Sequence, residues 1–476
     1  MSNSTISAAL PLLILTLTSV IVMIGIAIKR SQRATAVLSF AGLAVSFASL
    51  WPASSMGPVQ ITSLLIVDRY GLIYMGLILA ASAAVILLSF PYLARRPEHK
   101  EEFYLLLILA TLGSMVLAAS NHMASLFLGL ELLSISLYAL ISYPRTEPLP
   151  VEAGIKYLVL AASSSAFVLF GMALLYVVQG SMEFGRMSAS SSDITTAGAS
   201  SAGMVLVLTG IGFKLAVVPF HLWTPDVYEG APLPVAAFVA TVSKGGVFAF
   251  LLRWLQLPGG PGGRMLILFT IISIASMLTG NLLALRQTNI KRLLAYSSIA
   301  HMGYFLVAAI AGGSLGRAAA TYYLAAYMVT VLGAFGSLLA LSSPGRDAET
   351  FDDIRGLFWR RPLVATVFTA MILSLAGIPL TAGFLGKFYV LTAGASAASW
   401  TLIAILILSS TIGLVYYLRV IVAMLSSSEE LESATTAGSL GITPGVALGV
   451  LALALFVLGV YPGPFWTAIS AAIAQQ

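Results

Sequence analysis

Long apolar stretches separated by short polar segments dominate the sequence. Most are about 20 residues or longer, which is enough for a helix to cross the ~30 Å hydrocarbon core of a bilayer. Strands of a membrane barrel would be about 10 residues long with alternating polarity, and that pattern is missing. We therefore predict an all-α polytopic membrane protein with fourteen spans, at 7–28, 34–51, 70–94, 103–120, 122–143, 153–179, 203–222, 232–256, 265–285, 290–311, 316–342, 362–394, 400–424 and 443–468.

Composition agrees with this pattern and excludes several classes of protein. Of 476 residues, 59% are hydrophobic and only 9% are charged, whereas soluble domains carry about 25% charged residues. A soluble enzyme, a disordered chain and a coiled coil are excluded. Without cysteine the chain has no disulfides, thiolate zinc sites or iron–sulfur clusters of its own. The net charge of +6 is spread over many loops, so no patch for nucleic acid is expected.

Basic residues in the loops predict the orientation. Fifteen lie in odd-numbered loops or at their edges, and five lie in even-numbered loops, namely Arg69, Arg186, Arg253, Arg264 and Arg317. Cytoplasmic loops carry the excess of lysine and arginine. The odd-numbered loops are therefore expected to be cytoplasmic, and both termini are expected on the opposite, periplasmic side.

Ionisable residues inside the predicted spans are the candidate functional groups. Only seven lysines are present, and five of them lie within or at the edge of spans, together with one acid in the middle of a span: Lys156, Lys214, Lys244, Lys291, Lys387 and Glu131. Each such group costs roughly 3 kcal/mol on insertion scales. Arginine keeps its proton, but a desolvated lysine can release one. The pattern favours a path for protons.

Each candidate also has a structural interpretation. Glu131 and Lys214 can form a static pair, Lys244 can pack against carbonyls, and Lys156 can extend to the interface. Lys291 lies beside Arg292 and can act as a cytoplasmic anchor. Two histidines, His221 and His301, can pass protons or form structural hydrogen bonds.

Glycine and proline interrupt two spans, at 210–221 and 375–387, and each interruption carries a lysine. Broken helices in corresponding positions of two halves indicate an inverted repeat. We predict helices 1–3 over 1–102, a first five-helix repeat over 103–256, a second over 265–424, and a last helix within 443–476. Helices 7 and 12 are expected to be broken.

Five stretches resemble one family, the antiporter-like membrane subunits of respiratory complex I, an NADH-quinone oxidoreductase. The resemblance covers nearly the whole chain and is strongest at 212–232. The similar stretches are 103–106, 121–131, 212–232, 287–298 and 374–389.

The resemblance implies a fourteen-helix proton-pumping subunit of a large complex in the bacterial inner membrane. Glu131, Lys214, Lys244 and Lys387 match the family's proton-path positions, and His221 and Lys156 match further polar positions. NADH, FMN, the iron–sulfur clusters and quinone are expected on other subunits, with no cofactor or metal bound by this chain. The expected partners are other membrane-arm subunits and the lipid bilayer, with protons as the transported species. Two alternatives stay open: a subunit of a cation/proton antiporter, and a structural subunit with static lysines.

Overall fold

The computed structural model describes residues 3–96, 100–186, 194–256, 263–343, 345–426 and 441–475. Over these ranges the chain is helical apart from loops, two short 3₁₀ or π turns and one two-stranded antiparallel sheet, β1 (Val59–Gln60) with β2 (Ile66–Val67). The helices are α1 (Asn3–Ile28), α2 (Gln32–Ala48), α3 (Leu50–Ser54), α4 (Arg69–Ala94), α5 (Glu101–Ala119), α6 (Met123–Ile141), α7 (Pro148–Gln179), α8 (Ile194–Leu215), α9 (Trp223–Gly230), α10 (Leu233–Phe238), α11 (Lys244–Trp254), α12 (Gly263–Ala284), α13 (Ile290–Ala311), α14 (Gly313–Leu341), α15 (Phe351–Ile354), α16 (Leu357–Arg360), α17 (Pro362–Ala376), α18 (Ala382–Ser396), α19 (Trp400–Leu425), α20 (Ile442–Val460) and α21 (Gly463–Ile473).

Thirteen helical segments within the described ranges are long and apolar enough to cross a membrane. One of them joins α10, a π-helical turn at 239–243 and α11. The predicted twelfth span is instead two helices of 15 residues, α17 and α18. At about 1.5 Å per residue, each of these reaches only part of the way across. The all-α, multi-span fold is confirmed.

The segment Leu233–Trp254 lies at the centre of the molecule and is buried along its whole length. It packs between α5 and α14, and α13 lies against α14 and α18. Gly246 permits the close contact with α5, because a Cβ there would lie 2.7 Å from the backbone oxygen of Ser114. The middle of this segment is therefore remote from lipid.

Both predicted helix breaks are present. Helix α8 ends at Leu215, and Ala216 follows with a φ of +61°. Helix α17 ends at Ala376, and Gly377 follows with a φ of +87°, a left-handed conformation that favours glycine. The carbonyl of Phe213, in the last turn before the first break, accepts a 2.9 Å hydrogen bond from the indole of Trp223.

The two lysines at the breaks are not equivalent. Lys214 lies in the last turn before its break, whereas Lys387 lies in α18, after its break. The relation of the two halves by an inverted repeat, and the domain boundaries built on it, stay predictions.

Arg253 was counted with an even-numbered loop, although it lies near the end of the predicted span 232–256. It is in fact buried in the last turn of α11. Its guanidinium binds both carboxylate oxygens of Asp68, at 2.7 and 2.8 Å. Asp68 also caps α4 through a 2.7 Å hydrogen bond from Gly71. A buried ion pair needs such a set of hydrogen bonds to offset its desolvation. The pair ties the start of α4 to the end of α11.

Candidate functional site

Three of the five candidate lysines are buried among neutral groups. The exposed fractions of Lys214, Lys244 and Lys387 are 3%, 0% and 7%. Within the described residues, their ammonium groups hydrogen-bond only hydroxyls and backbone carbonyls. A buried cation without a carboxylate partner is costly to keep charged. Each of the three can therefore exchange a proton without breaking an ion pair.

Lys214 reaches from α8 towards α6 and α7. Its Nζ donates hydrogen bonds to Ser134 Oγ at 2.6 Å and to Tyr157 OH at 3.1 Å. It also lies 5.1 Å from the centre of the Tyr157 ring, where the negative face of the ring favours a cation. The Tyr157 ring in turn contacts Trp223, from the segment after the break, with centroids 4.9 Å apart. The break and its lysine are thus packed as one unit.

Glu131 lies on α6 one turn before Ser134, on the side that Lys214 approaches. Its carboxylate accepts a short hydrogen bond from Ser165 of α7. In the described part of the chain it forms no direct ion pair with Lys214, although the two charges interact electrostatically. The geometry brings Glu131 and Lys214 to the same region without a static contact between them.

Lys244 lies at the middle of the central span, immediately after the π-helical turn. Such π turns are frequent at functional sites because they re-aim side chains. Lys244 Nζ donates a 2.7 Å hydrogen bond to Ser298 Oγ on α13. The same hydroxyl lies 2.5 Å from Tyr327 OH and accepts a 3.2 Å hydrogen bond from Tyr228. Lys244 therefore opens onto a row of hydroxyls.

His301 lies one turn beyond Ser298 on α13 and is 2% exposed. Its ring nitrogens contact two tyrosines, Nδ1 with Tyr323 OH at 2.7 Å and Nε2 with Tyr417 OH at 3.2 Å. The imidazole is within electrostatic range of both Lys244 and Lys387. His301 is therefore near enough to both lysines to interact with each of them.

The side chain of Lys387, on α18, binds at the C-terminal end of the preceding helix, α17. Its Nζ donates 2.9 Å hydrogen bonds to the carbonyls of Leu375 and Ala376 and a 2.8 Å hydrogen bond to Ser410 Oγ. These carbonyls are free because α17 ends there, and the negative end of a helix attracts a cation. A Cβ on Gly377 would lie 2.9 Å from the Lys387 side chain. The break thus creates the binding site of the lysine.

Lys156 belongs to a different environment. Its side chain is 45% exposed and forms ion pairs with Glu152 at 2.8 Å and with Asp226 at 2.9 Å. Asp226 and Glu229, both on α9, also bind Arg292 on α13, at 2.9 and 2.6 Å. This group of five charged residues, which we call the α9 cluster, connects α7, α9 and α13.

Lys291 lies beside the α9 cluster. It is buried, but unlike the three lysines with neutral partners it has acidic neighbours. Its Nζ donates to the carbonyl of Ala231 at 3.0 Å and lies 3.6 Å from Asp347 and 4.0 Å from Glu349. Burial raises the pKa of Glu349, and the charge of Lys291 lowers it by less, so the pKa stays above its usual range. Lys291 and Lys156 are therefore held in ion-pair networks, unlike the three lysines with neutral partners.

His221 lies between α8 and α9 and is 8% exposed. Its Nδ1 is buried without a hydrogen-bond partner among the described residues. The side chain lies outside both the hydroxyl row around Lys244 and the α9 cluster.

The α9 cluster leads to a prediction about stability. We expect Asp226→Asn to lower the free energy of unfolding by roughly 1 kcal/mol. The substitution removes the carboxylate that pairs with both Lys156 and Arg292, and solvent screens these ion pairs only partly. Thermal unfolding of the purified chain in detergent measures this change. Glu152→Gln is the matched control and should change stability less, since Glu152 is 60% exposed and, among the described residues, pairs with Lys156 alone. Equal effects of the two variants would contradict the prediction.

The sequence analysis missed the neutral partners of the lysines. Serine and tyrosine are ordinary residues of membrane helices, so Ser134, Tyr157, Ser298, Tyr327 and Ser410 carried no signal until the fold placed them beside ammonium groups. Within the described residues, no group of three histidine, aspartate or glutamate side chains could hold a metal ion.

Known proteins resemble this chain over almost its full length. A sequence profile of the family described as NADH:quinone oxidoreductase/Mrp antiporter, transmembrane, matches residues 120–413. NADH-quinone oxidoreductase subunit N of Ectopseudomonas mendocina (strain ymp) is 50% identical over 469 residues, covering 96% of this chain and 94% of that protein.

Two solved structures share the fold. A chain of respiratory complex I from Thermus thermophilus, with bound aureothin, is 31% identical with a TM-score of 0.83, over 97% of this chain and 99% of that one. A chain of the Mrp complex from Dietzia sp. DQ12-45-1b has a TM-score of 0.87 at 20% identity, over 100% and 97% of the two chains, and this shows likeness of fold alone. The resemblance predicted from the motifs is confirmed: the chain belongs to the NADH:quinone oxidoreductase/Mrp antiporter family of membrane subunits, and within it to the group of subunit N.

Proposed function

We propose that this chain is a proton-translocating membrane-arm subunit of a bacterial NADH-quinone oxidoreductase. Protons cross it by a relay through Glu131, Lys214, Lys244 and Lys387, with His301 between the last two. The name of the 50% identical relative and the complex I structure support the assignment to this complex.

One observation supports the relay most strongly. Three ammonium groups are buried in one protein core with only neutral hydrogen-bond partners in the described residues. A lysine in an ion pair is held charged by its carboxylate. A lysine among hydroxyls and carbonyls loses less interaction energy when it gives up its proton, because no ion pair is broken. Lys156 and Lys291 have acidic partners instead, which supports a role in positioning α9 and α13.

Hydrogen bonds connect only part of the relay, and three steps between Lys214 and Lys387 have none among the described residues. Lys244, Ser298 and Tyr327 form a continuous hydrogen-bonded row. The first interruption lies between Tyr157, beside Lys214, and Tyr228, beside Lys244, which interact only electrostatically. The second lies between the Tyr327 and His301 rings, whose centroids are 5.4 Å apart. The third lies between His301 and Lys387, which both lie near the ring of Tyr304. Transfer across these interruptions requires water or a rotation of a side chain.

Glu131 regulates the first lysine. While its carboxylate stays near Lys214, the charged form of the lysine is favoured, and burial opposes this effect. When a neighbouring subunit attracts Glu131, the proton of Lys214 becomes easier to lose and passes towards Lys244, then to Lys387 for release on the periplasmic side. In the structure the Glu131 carboxylate accepts its hydrogen bond from Ser165 of α7 and forms none with Lys214 among the described residues.

This role of Glu131 leads to a prediction. We expect Glu131→Gln to lower the proton affinity of Lys214, so that proton translocation at neutral pH falls while the complex still assembles. The pH dependence of translocation in membrane vesicles measures it, and the midpoint should move to lower pH. Glu183→Gln, outside the spans, is the control. An unchanged midpoint in the Glu131 variant would refute the coupling.

The proposal extends to cellular location and cofactors. The chain lies in the bacterial inner membrane with both termini on the periplasmic side, and NADH, FMN, the iron–sulfur clusters and quinone are bound by other subunits. Antibody or protease accessibility of tags at the two termini tests the orientation. Translocation assays with and without added Na⁺ or K⁺ distinguish the complex I role from cation/proton antiport, because only antiport requires the second cation.

A further inference from the structure

A groove opens on the outer surface at the end of the molecule where α4 begins. It has a volume of about 580 Å³ and lies between α2–α3, the first turns of α4, and α21. One wall carries Phe47 and Trp51, which are 50% and 85% exposed. The opposite wall is nearly flat, because α21 contributes the small residues Ala468 and Ala471.

Among the described residues that line this groove, Arg69 alone is charged. It is exposed, and within the described residues its guanidinium forms no ion pair, since the carboxylate of the preceding residue is bound to Arg253. The groove therefore combines an apolar slot with one unpaired cation at its rim. Tryptophan belongs at the level of the lipid headgroups, and Trp51 marks that level beside Arg69.

We propose that this groove binds one anionic phospholipid, whose leaflet is the periplasmic one under the orientation proposed above. The acyl chain lies in the slot against α21, and the phosphate lies on Arg69. A helix from a neighbouring subunit fits less well. A helix is about 10 Å in diameter and rises about 5.4 Å per turn, so the volume of the groove would hold little more than one turn. An acyl chain is thin and flexible enough to follow the slot along its length.

The test uses the assembled complex in vesicles that contain a photoactivatable phosphatidylglycerol or, separately, a photoactivatable phosphatidylcholine. Cross-linked peptides are mapped by mass spectrometry. We expect phosphatidylglycerol to label the segments 47–54 and 463–473 more strongly than phosphatidylcholine. Arg69→Gln should lower the phosphatidylglycerol signal about fivefold, to the phosphatidylcholine level, as loss of one basic contact at an anionic surface predicts.

Two controls separate the slot from the charge. Ala471→Leu narrows the slot and should reduce labelling by both lipids, whereas Ala474→Leu, exposed at the end of the same helix and outside the groove, should not. Arg33→Gln, an exposed arginine at the opposite end of α2, should also leave the signal unchanged. Equal labelling by both lipids in the unchanged chain, or protection of the groove by another subunit, would overturn the proposal. Neither result depends on the lysine relay.

Discussion

Replacing Lys214 with alanine is expected to reduce proton translocation, and the quinone reduction coupled to it, by about 10²-fold or more, the usual contribution of a positioned proton-transfer group. Lys214 is buried beside a helix break, and within the described residues its ammonium donates hydrogen bonds to Ser134 and Tyr157. Alanine leaves these neutral hydroxyls in place and breaks no direct ion pair, because Glu131 is hydrogen-bonded by Ser165 instead. The loss is therefore expected in transfer and not in folding.

The measurement is NADH-driven acidification of inverted membrane vesicles, together with the rate of quinone reduction. A native gel shows whether the complex is assembled. Lys29→Ala is the control, because Lys29 is exposed at the end of α1 and lies outside the relay. Full translocation by an assembled Lys214→Ala complex would refute the role of this residue.

Lys244→Ala and Lys387→Ala are each expected to impair translocation severely, although they lie on different helices and have different partners. Lys244 binds Ser298, and Lys387 binds the carbonyls at the end of α17. If protons pass through the two lysines in series, the loss of either residue stops translocation. The double variant should then translocate protons no more slowly than the less active single variant. Independent paths would instead give losses that multiply.

The control for this pair is Lys100→Ala. Lys100 donates a hydrogen bond to the backbone oxygen of Ala94 in the turn before α5, and its removal should leave translocation unchanged. Lys156→Ala gives a further comparison, because Lys156 lies in the ion pairs of the α9 cluster. The account predicts a smaller loss there than at Lys244. A larger loss at Lys156 than at Lys244 would show that the α9 cluster, and not the row of hydroxyls around Lys244, limits proton transfer.

The helices and breaks were predictable because their signals are local. A span needs only a long apolar run, and a break needs only glycine or proline near a gap in the helix, as at Gly377. The buried lysines were also predictable, since an ionisable residue in a span is conspicuous against a sequence with 9% charged residues.

The partners of those lysines were not predictable, because they come from distant parts of the chain. Lys214 and Lys156 both lie in or near apolar runs, yet one meets Ser134 and the other meets Asp226. Arg253 looked like a loop residue because Asp68, its partner, is 185 positions away. The π-helical turn before Lys244 depends on packing around the central span, for which the sequence has no simple signal.

The most direct test of the central claim is the number of protons translocated per NADH oxidised, measured in proteoliposomes that contain the assembled complex with Lys214→Arg. Arginine keeps the positive charge but cannot release its proton, and its planar guanidinium is larger than the ammonium of lysine. The account predicts that translocation and coupled turnover are lost as completely as with alanine. Translocation at the level of the unchanged complex would contradict it, because a fixed charge at residue 214 would then be sufficient.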